Sequence, residues 1–215
     1  MTSFLRVVWC VAVSLIALVL FRVVDTGLYS VLPASLAVLA DIRITSFIVI
    51  AVACLATPSA RAFLAAPQRR PGASVSLLCV IVLCVAFALP ALSGVGVVSL
   101  PRWQDRLAFH LIGVVNEELL CRGLVLGAAI AAFRVSASRF RHPAVVATTI
   151  VFALMHAQYH GFAPGPALVA QLLWTLPLGL ACSALAFETR SLWPAVALHL
   201  ANNALVGLAE LTLRT

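Results

Sequence analysis

The chain has 215 residues, of which 63% are hydrophobic and only 10% charged, and its mean hydropathy is +1.12. A soluble domain carries about 25% charged residues, so this composition excludes an ordinary water-soluble enzyme and points to a polytopic membrane protein. The net charge of +7 comes from 14 arginines without a single lysine; they cluster between apolar runs, as membrane topology requires, which leaves the lipid bilayer rather than nucleic acid as the partner.

The apolar runs are too long and continuous for barrel strands, so helices are expected. The first covers Phe4–Val24. Arg6 ahead of it imitates a signal peptide, but no A-x-A site follows and Arg22 flanks the run, which predicts a retained helix. Leu28–Ala40 is also apolar and is separated from the next run by Asp41 and Arg43, so the expected count is seven or eight spans. Ile44–Thr57 is short for a span of about 20 residues. Pro67–Gly72 is the clearest linker, and Ser74–Leu100, Leu107–Phe133, Pro143–Ala157, Pro166–Phe187 and Leu192–Leu213 follow.

Trp103 and Trp193 stand at segment starts, where indole prefers the headgroup layer. Pro143, Pro166 and Pro194 lie near helix beginnings, where a missing N–H does no harm; Pro90 and Pro177 fall inside runs and predict kinks. Arg61, Arg69 and Arg70 share one loop and Arg134, Arg139 and Arg141 another, which puts both on the cytoplasmic side. The six cysteines all lie inside apolar runs without a C-x-x-C, as buried small hydrophobes do. No repeat or second domain is visible. The chain reads as one all-α integral membrane domain over 1–215, with helices lacking motifs in 1–106 and the polar core helices in 107–213.

Within Leu107–Phe133 stands Asn116-Glu117-Glu118-Leu119-Leu120-Cys121-Arg122. Each charge there would cost roughly 2.5–3.5 kcal/mol at a helix centre, so such groups face the protein interior and mark functional sites. On a helix Glu118 and Arg122 are at i, i+4 and can pair. Glu117 is turned about 100° away and needs a partner on another helix. Gly123 and Gly127 form a G-x-x-x-G that permits close helix approach.

Candidate partners are few. His156 ends Phe152-Ala153-Leu154-Met155-His156, and His199 and Asn203 share one face of the last segment. A glutamate and a histidine can share a water and take its proton, and a histidine and an asparagine can donate to a developing oxyanion. That set suits attack of water on an amide. The same groups would also suit a divalent metal that activates water. Other readings are a structural charge cluster, and a proton-coupled carrier using Glu117 and the histidines, though no inverted repeat accompanies it. A rhomboid-like serine site would need G-x-S-G, where the chain has Ala91-Leu92-Ser93-Gly94, and Asp25, Asp41 and Asp105 lie too near segment ends for an aspartyl site.

Glu117-Glu118-x-x-x-Arg122, Phe152-x-x-x-His156 and His199-x-x-x-Asn203, in that order on separate helices, resemble the CPBP family of intramembrane proteases. This family includes the eukaryotic CAAX prenyl proteases and the bacterial Abi proteins. Trp193-Pro194-Ala195 leading into His199 is similar too. The resemblance covers about half the chain and implies a helical fold with its site sunk in the membrane. It implies Glu117 and His156 as the water-activating groups, His199 and Asn203 as the oxyanion site, and Glu118, Arg122 and Phe152 as supporting residues. Zinc or another divalent metal stays open; Glu117, His156 and His199 would be its ligands, although H-E-x-x-H is absent. The implied activity is hydrolysis of a peptide bond in a membrane-associated protein or peptide, by a multi-pass protein of a bacterial-type cytoplasmic membrane. A catalytically silent scaffold or a bacteriocin-immunity partner is the alternative within the same family.

Overall fold

The computed structural model describes Val19 and residues 44–93, 103–133, 142–157 and 163–213. The expected segments at Phe4–Val24 (Val19 apart) and Leu28–Ala40, with Cys10 and the Arg134–Arg141 loop, lie outside the described residues. Those described are helical, with no strand among them. In chain order they form α1 (Ile44–Ala56), α2 (Pro58–Arg61, running into a 3-10 turn at Ala62–Leu64), α3 (Ala73–Ser93), α4 (Trp103–Glu118), a π-helical stretch (Leu119–Val125), α5 (Leu126–Phe133), α6 (Pro143–Ala157), α7 (Pro166–Thr189) and α8 (Trp193–Leu213). Pro58 and Pro166 stand in the first turns of α2 and α7 and Pro143 opens α6, positions where the missing N–H is an orphan in any case. Pro90 and Pro177 lie within α3 and α7.

The shortness of the second apolar segment has a local cause. Thr57 precedes a proline and is forced out of the helical region, to φ −97° and ψ 112°. The chain therefore turns by 99° between 46–56 and 58–64. The corner of α1 and α2 packs against the middle of the charged segment. A Cβ on Gly127 would lie 3.0–3.1 Å from the Ser59 carbonyl oxygen and the Ala60 backbone, and one on Gly123 would lie 2.9 Å from Cys54 Sγ. The G-x-x-x-G pair thus seats this corner.

The remaining helices bundle around the same segment: α6 lies along α7, α3 packs on α7 and α8, and α8 reaches α4. One strap closes the bundle at one end. Gln68 N–H donates to the Thr189 carbonyl (2.9 Å), Leu192 N–H to the Phe63 carbonyl (2.9 Å) and Gly72 N–H to Glu188 Oε2 (2.8 Å). Ser191 Oγ donates to the Ala65 carbonyl (2.7 Å) and Trp193 Nε1 to the Leu64 carbonyl (2.8 Å).

Polarity runs from inside to outside in the reverse of the soluble order. Arg122, Glu118, Asn116, Thr148 and Asn202 are buried, whereas Val49, Val52, Val80, Ile81, Val146, Ile150, Val169 and Leu173 are exposed. Apolar surface on this scale needs lipid or a partner to cover it. By length and composition, Leu168–Thr189 is apolar and long enough to cross a membrane alone, and the bent pair 46–64 passes only if counted as one span. Cys54, Cys79, Cys84, Cys121 and Cys182 are free thiols.

Candidate active site

The charged segment is not one uniform α-helix. Between Glu118 and Leu126 the backbone widens into the π-helical stretch, which carries Arg122 at its centre. Such widenings occur mostly as single turns and often at functional sites. Here it is supported from α1, where Cys54 Sγ donates to the Leu119 carbonyl at 3.3 Å. Asn116, one residue before the glutamate pair, donates from Nδ2 to Ser46 Oγ at 2.9 Å, fully buried. These contacts tie the polar segment to the half of the chain that carries no motif.

Glu118 is the hub. Its Oε1 accepts from Arg122 Nη1 at 2.9 Å and bonds His199 Nδ1 at 2.9 Å. Arg122 Nη2 donates to the Gly179 carbonyl at 2.9 Å, and its guanidinium lies 4.5 Å from the centroid of the Phe152 ring. Both charged side chains have no exposure at all. A guanidinium in such a place requires a carboxylate partner and a flat apolar cover, and the two are supplied by Glu118 and Phe152. The Phe152 ring also meets His156 (4.5 Å, tilted) and His199 (5.5 Å, edge-on). Gly179 is small because Phe152 fills its space: a Cβ there would lie 2.9 Å from Phe152 Cδ1.

Glu117 faces His156. Their nearest atoms, Oε2 and Nε2, are 3.6 Å apart, and the side chains keep 9% and 15% exposure. His156 Nδ1 bonds the Phe152 carbonyl at 2.9 Å. A carbonyl only accepts, so Nδ1 carries the proton and the lone pair of the neutral ring sits on Nε2, toward Glu117. At 3.6 Å there is no direct hydrogen bond, but a water can bridge the two groups.

The two glutamates meet different histidines: Glu117 has His156 on α6, while His199 on α8 goes to Glu118. The cause is angular: Glu118 is the glutamate turned into the bundle, and one carboxylate oxygen has lone pairs for both donors. Asn203, half-buried on the same face as His199, accepts at Oδ1 from Asn202 Nδ2 at 3.2 Å, which leaves its NH2 as the donating end.

Among the described residues no three His, Cys, Asp or Glu side chains are gathered closely enough to hold an ion, Glu117, His156 and His199 included. The bond from His199 Nδ1 to Glu118 leaves Nε2 as the nitrogen that would face a metal.

Residues 99–205, about half of the chain, match the family described as type II CAAX prenyl endopeptidase, Rce1-like. The chain belongs to the Rce1-like family. No curated protein and no solved structure matches it. The Rce1-like family is a membrane-embedded protease family. Every residue discussed above from Asn116 to Asn203 falls in the stretch matched to Rce1-like proteins, whereas Ser46 and Cys54 do not. Asn116 interrupts an apolar run and is therefore visible in the sequence; Ser46, a serine among hydrophobes, gives no such signal.

Proposed function

We propose that this chain is a multi-pass intramembrane endopeptidase that hydrolyses a peptide bond in a membrane-associated protein or peptide. One observation carries the reading: the polar groups divide by accessibility. Glu117 and His156 keep 9% and 15% exposure and lie close enough to share a water, while Glu118 and Arg122 have none.

In the proposed mechanism a water donates one hydrogen bond to Glu117 Oε2 and the other to His156 Nε2. As its oxygen bonds to the substrate carbonyl carbon, Glu117 takes its proton. The carbonyl π electrons move to oxygen, and the oxyanion accepts hydrogen bonds from Asn203 Nδ2 and His199 Nε2. His199 already donates through Nδ1 to Glu118, so it serves as an imidazolium when it also donates through Nε2. Collapse of the intermediate breaks the C–N bond, and the proton held by Glu117 passes to the leaving nitrogen. Glu118, Arg122 and Phe152 hold the histidines in place and touch no reacting atom.

The membrane reading is supported by the exposed apolar faces and by helix lengths. α3 and α8 have 21 residues each, about the number needed to cross the hydrocarbon layer. The continuous run 103–133 is roughly 45 Å long at about 1.5 Å per residue. With the apolar stretches before residue 44, these make seven or eight spans, in a bacterial-type cytoplasmic membrane.

The test is cleavage of a quenched peptide library by wild type and Glu117→Ala purified in detergent. Cleavage by wild type alone supports the assignment. Background cleavage by both returns the chain to a scaffold or immunity role, which persistence of the cellular phenotype in Glu117→Ala would support.

A further inference from the structure

The strap at one end of the bundle brings together two arginines that the catalytic reading does not use. Gln68 N–H is bonded to the Thr189 carbonyl at 2.9 Å, and Arg69 and Arg190 are the residues that follow this pair, near enough for their charges to act on one another. The nearby acid does not separate them: Glu188 Oε2 accepts from Gly72 N–H. Among the described residues neither arginine forms an ion pair with a carboxylate. Burial, and next the charge of Arg69, hold the Arg190 guanidinium below its ordinary value.

Arg190 occupies a costly position. It follows the last turn of α7 in the left-handed region, at φ 57° and ψ 33°, and is the sole non-glycine residue with positive φ among those described. Helices ordinarily place glycine there, because a Cβ is disfavoured. Outliers of this kind persist where the surroundings over-determine them, and they collect at ligand clamps. The guanidinium is also oriented in advance, lying 5.1 Å from the centroid of the buried Phe187 ring, whose aromatic neighbour is His142.

We infer that Arg69 and Arg190 form a seat for the phosphate of an anionic phospholipid headgroup at the membrane surface. A phosphodiester presents oxygens that two guanidinium forks can bond together, and its charge removes the repulsion between them. Arg70 and Arg61, both exposed in the same segment, extend the basic surface that an anionic leaflet attracts. The exposed apolar face of the neighbouring α3, with Leu77, Val80 and Ile81, accommodates the acyl chains. The inference stands apart from peptidase activity, since none of these residues belongs to the catalytic group.

The test measures thermal unfolding of the full chain in zwitterionic detergent, with phosphatidylglycerol, phosphatidylcholine or inorganic phosphate added. The expected result is a rise in Tm of several degrees with phosphatidylglycerol only. Arg190→Gly removes the guanidinium and relieves the left-handed backbone. It should unfold no earlier than wild type without lipid, yet lose more than half of the lipid-induced rise. Arg69→Gln, on an exposed residue, should lose a similar share and keeps the test decisive if Arg190→Gly does not fold. An undiminished rise in the variants would overturn the seat, as would an equal rise with phosphatidylcholine. A full rise with inorganic phosphate alone would replace the lipid by a soluble anion.

Discussion

Glu118 and His199 are joined by a 2.9 Å hydrogen bond between a carboxylate oxygen and Nδ1, on the oxygen that also receives Arg122. This bond links α8 to the charged segment and fixes which nitrogen of His199 is left to face a substrate.

Loss of the Glu118 charge should therefore be a folding defect before it is a catalytic one. Glu118→Gln leaves the buried Arg122 without its counter-charge, and breaking such a pair costs about 3–5 kcal/mol. Glu117→Gln, at a partly open position, should cost less than about 1 kcal/mol. Thermal unfolding in detergent checks the difference, and equal Tm values for the two variants would contradict it.

Gly179 and Phe152 should behave as one unit. Gly179→Ala places a methyl 2.9 Å from Phe152 Cδ1, and overpacking of this kind costs about 1–3 kcal/mol. The displaced ring also touches His156 and His199, so turnover should fall along with stability. Phe152→Leu in the same chain should recover part of the stability loss, as expected of residues in contact. Strict additivity of the two substitutions, measured by Tm, would argue against the contact.

Asn116 and Ser46 make a different prediction, because they join the catalytic segment to α1. Ser46→Ala leaves the Asn116 amide buried without that acceptor, at a cost of about 1–3 kcal/mol. Once Ser46→Ala is in place, adding Asn116→Leu should cost less than Asn116→Leu does in wild type. Unfolding midpoints of the two single variants and the double variant give the coupling directly. A coupling of zero would remove this bond from the account.

Local features were legible before any fold was available. The interval Pro143–Ala157 is helical and begins at the proline that the sequence marks as its start. The Glu118–Arg122 pair follows from helical spacing, and the short second segment is explained by Thr57-Pro58. What escaped the sequence depends on tertiary placement. Nothing local assigns His199 to Glu118 instead of Glu117, since both glutamates are one residue apart and only the packing of α8 selects between them. The π-helical stretch has no distinguishing composition; it coincides with a buried arginine and with Gly123, pressed against α1. Ser46 becomes informative only once Asn116 is seen beside it.

The central claim is that Glu117, with His156, activates the water that cuts a peptide bond. Its most direct test is single-turnover cleavage of a quenched peptide by wild type, Glu117→Gln and His156→Gln, each first shown to be folded by an unchanged Tm. The account predicts cleavage by wild type and a loss of at least about 100-fold in each variant, the lower range for a positioned acid–base group. Wild-type rates in a folded Glu117→Gln protein would contradict it.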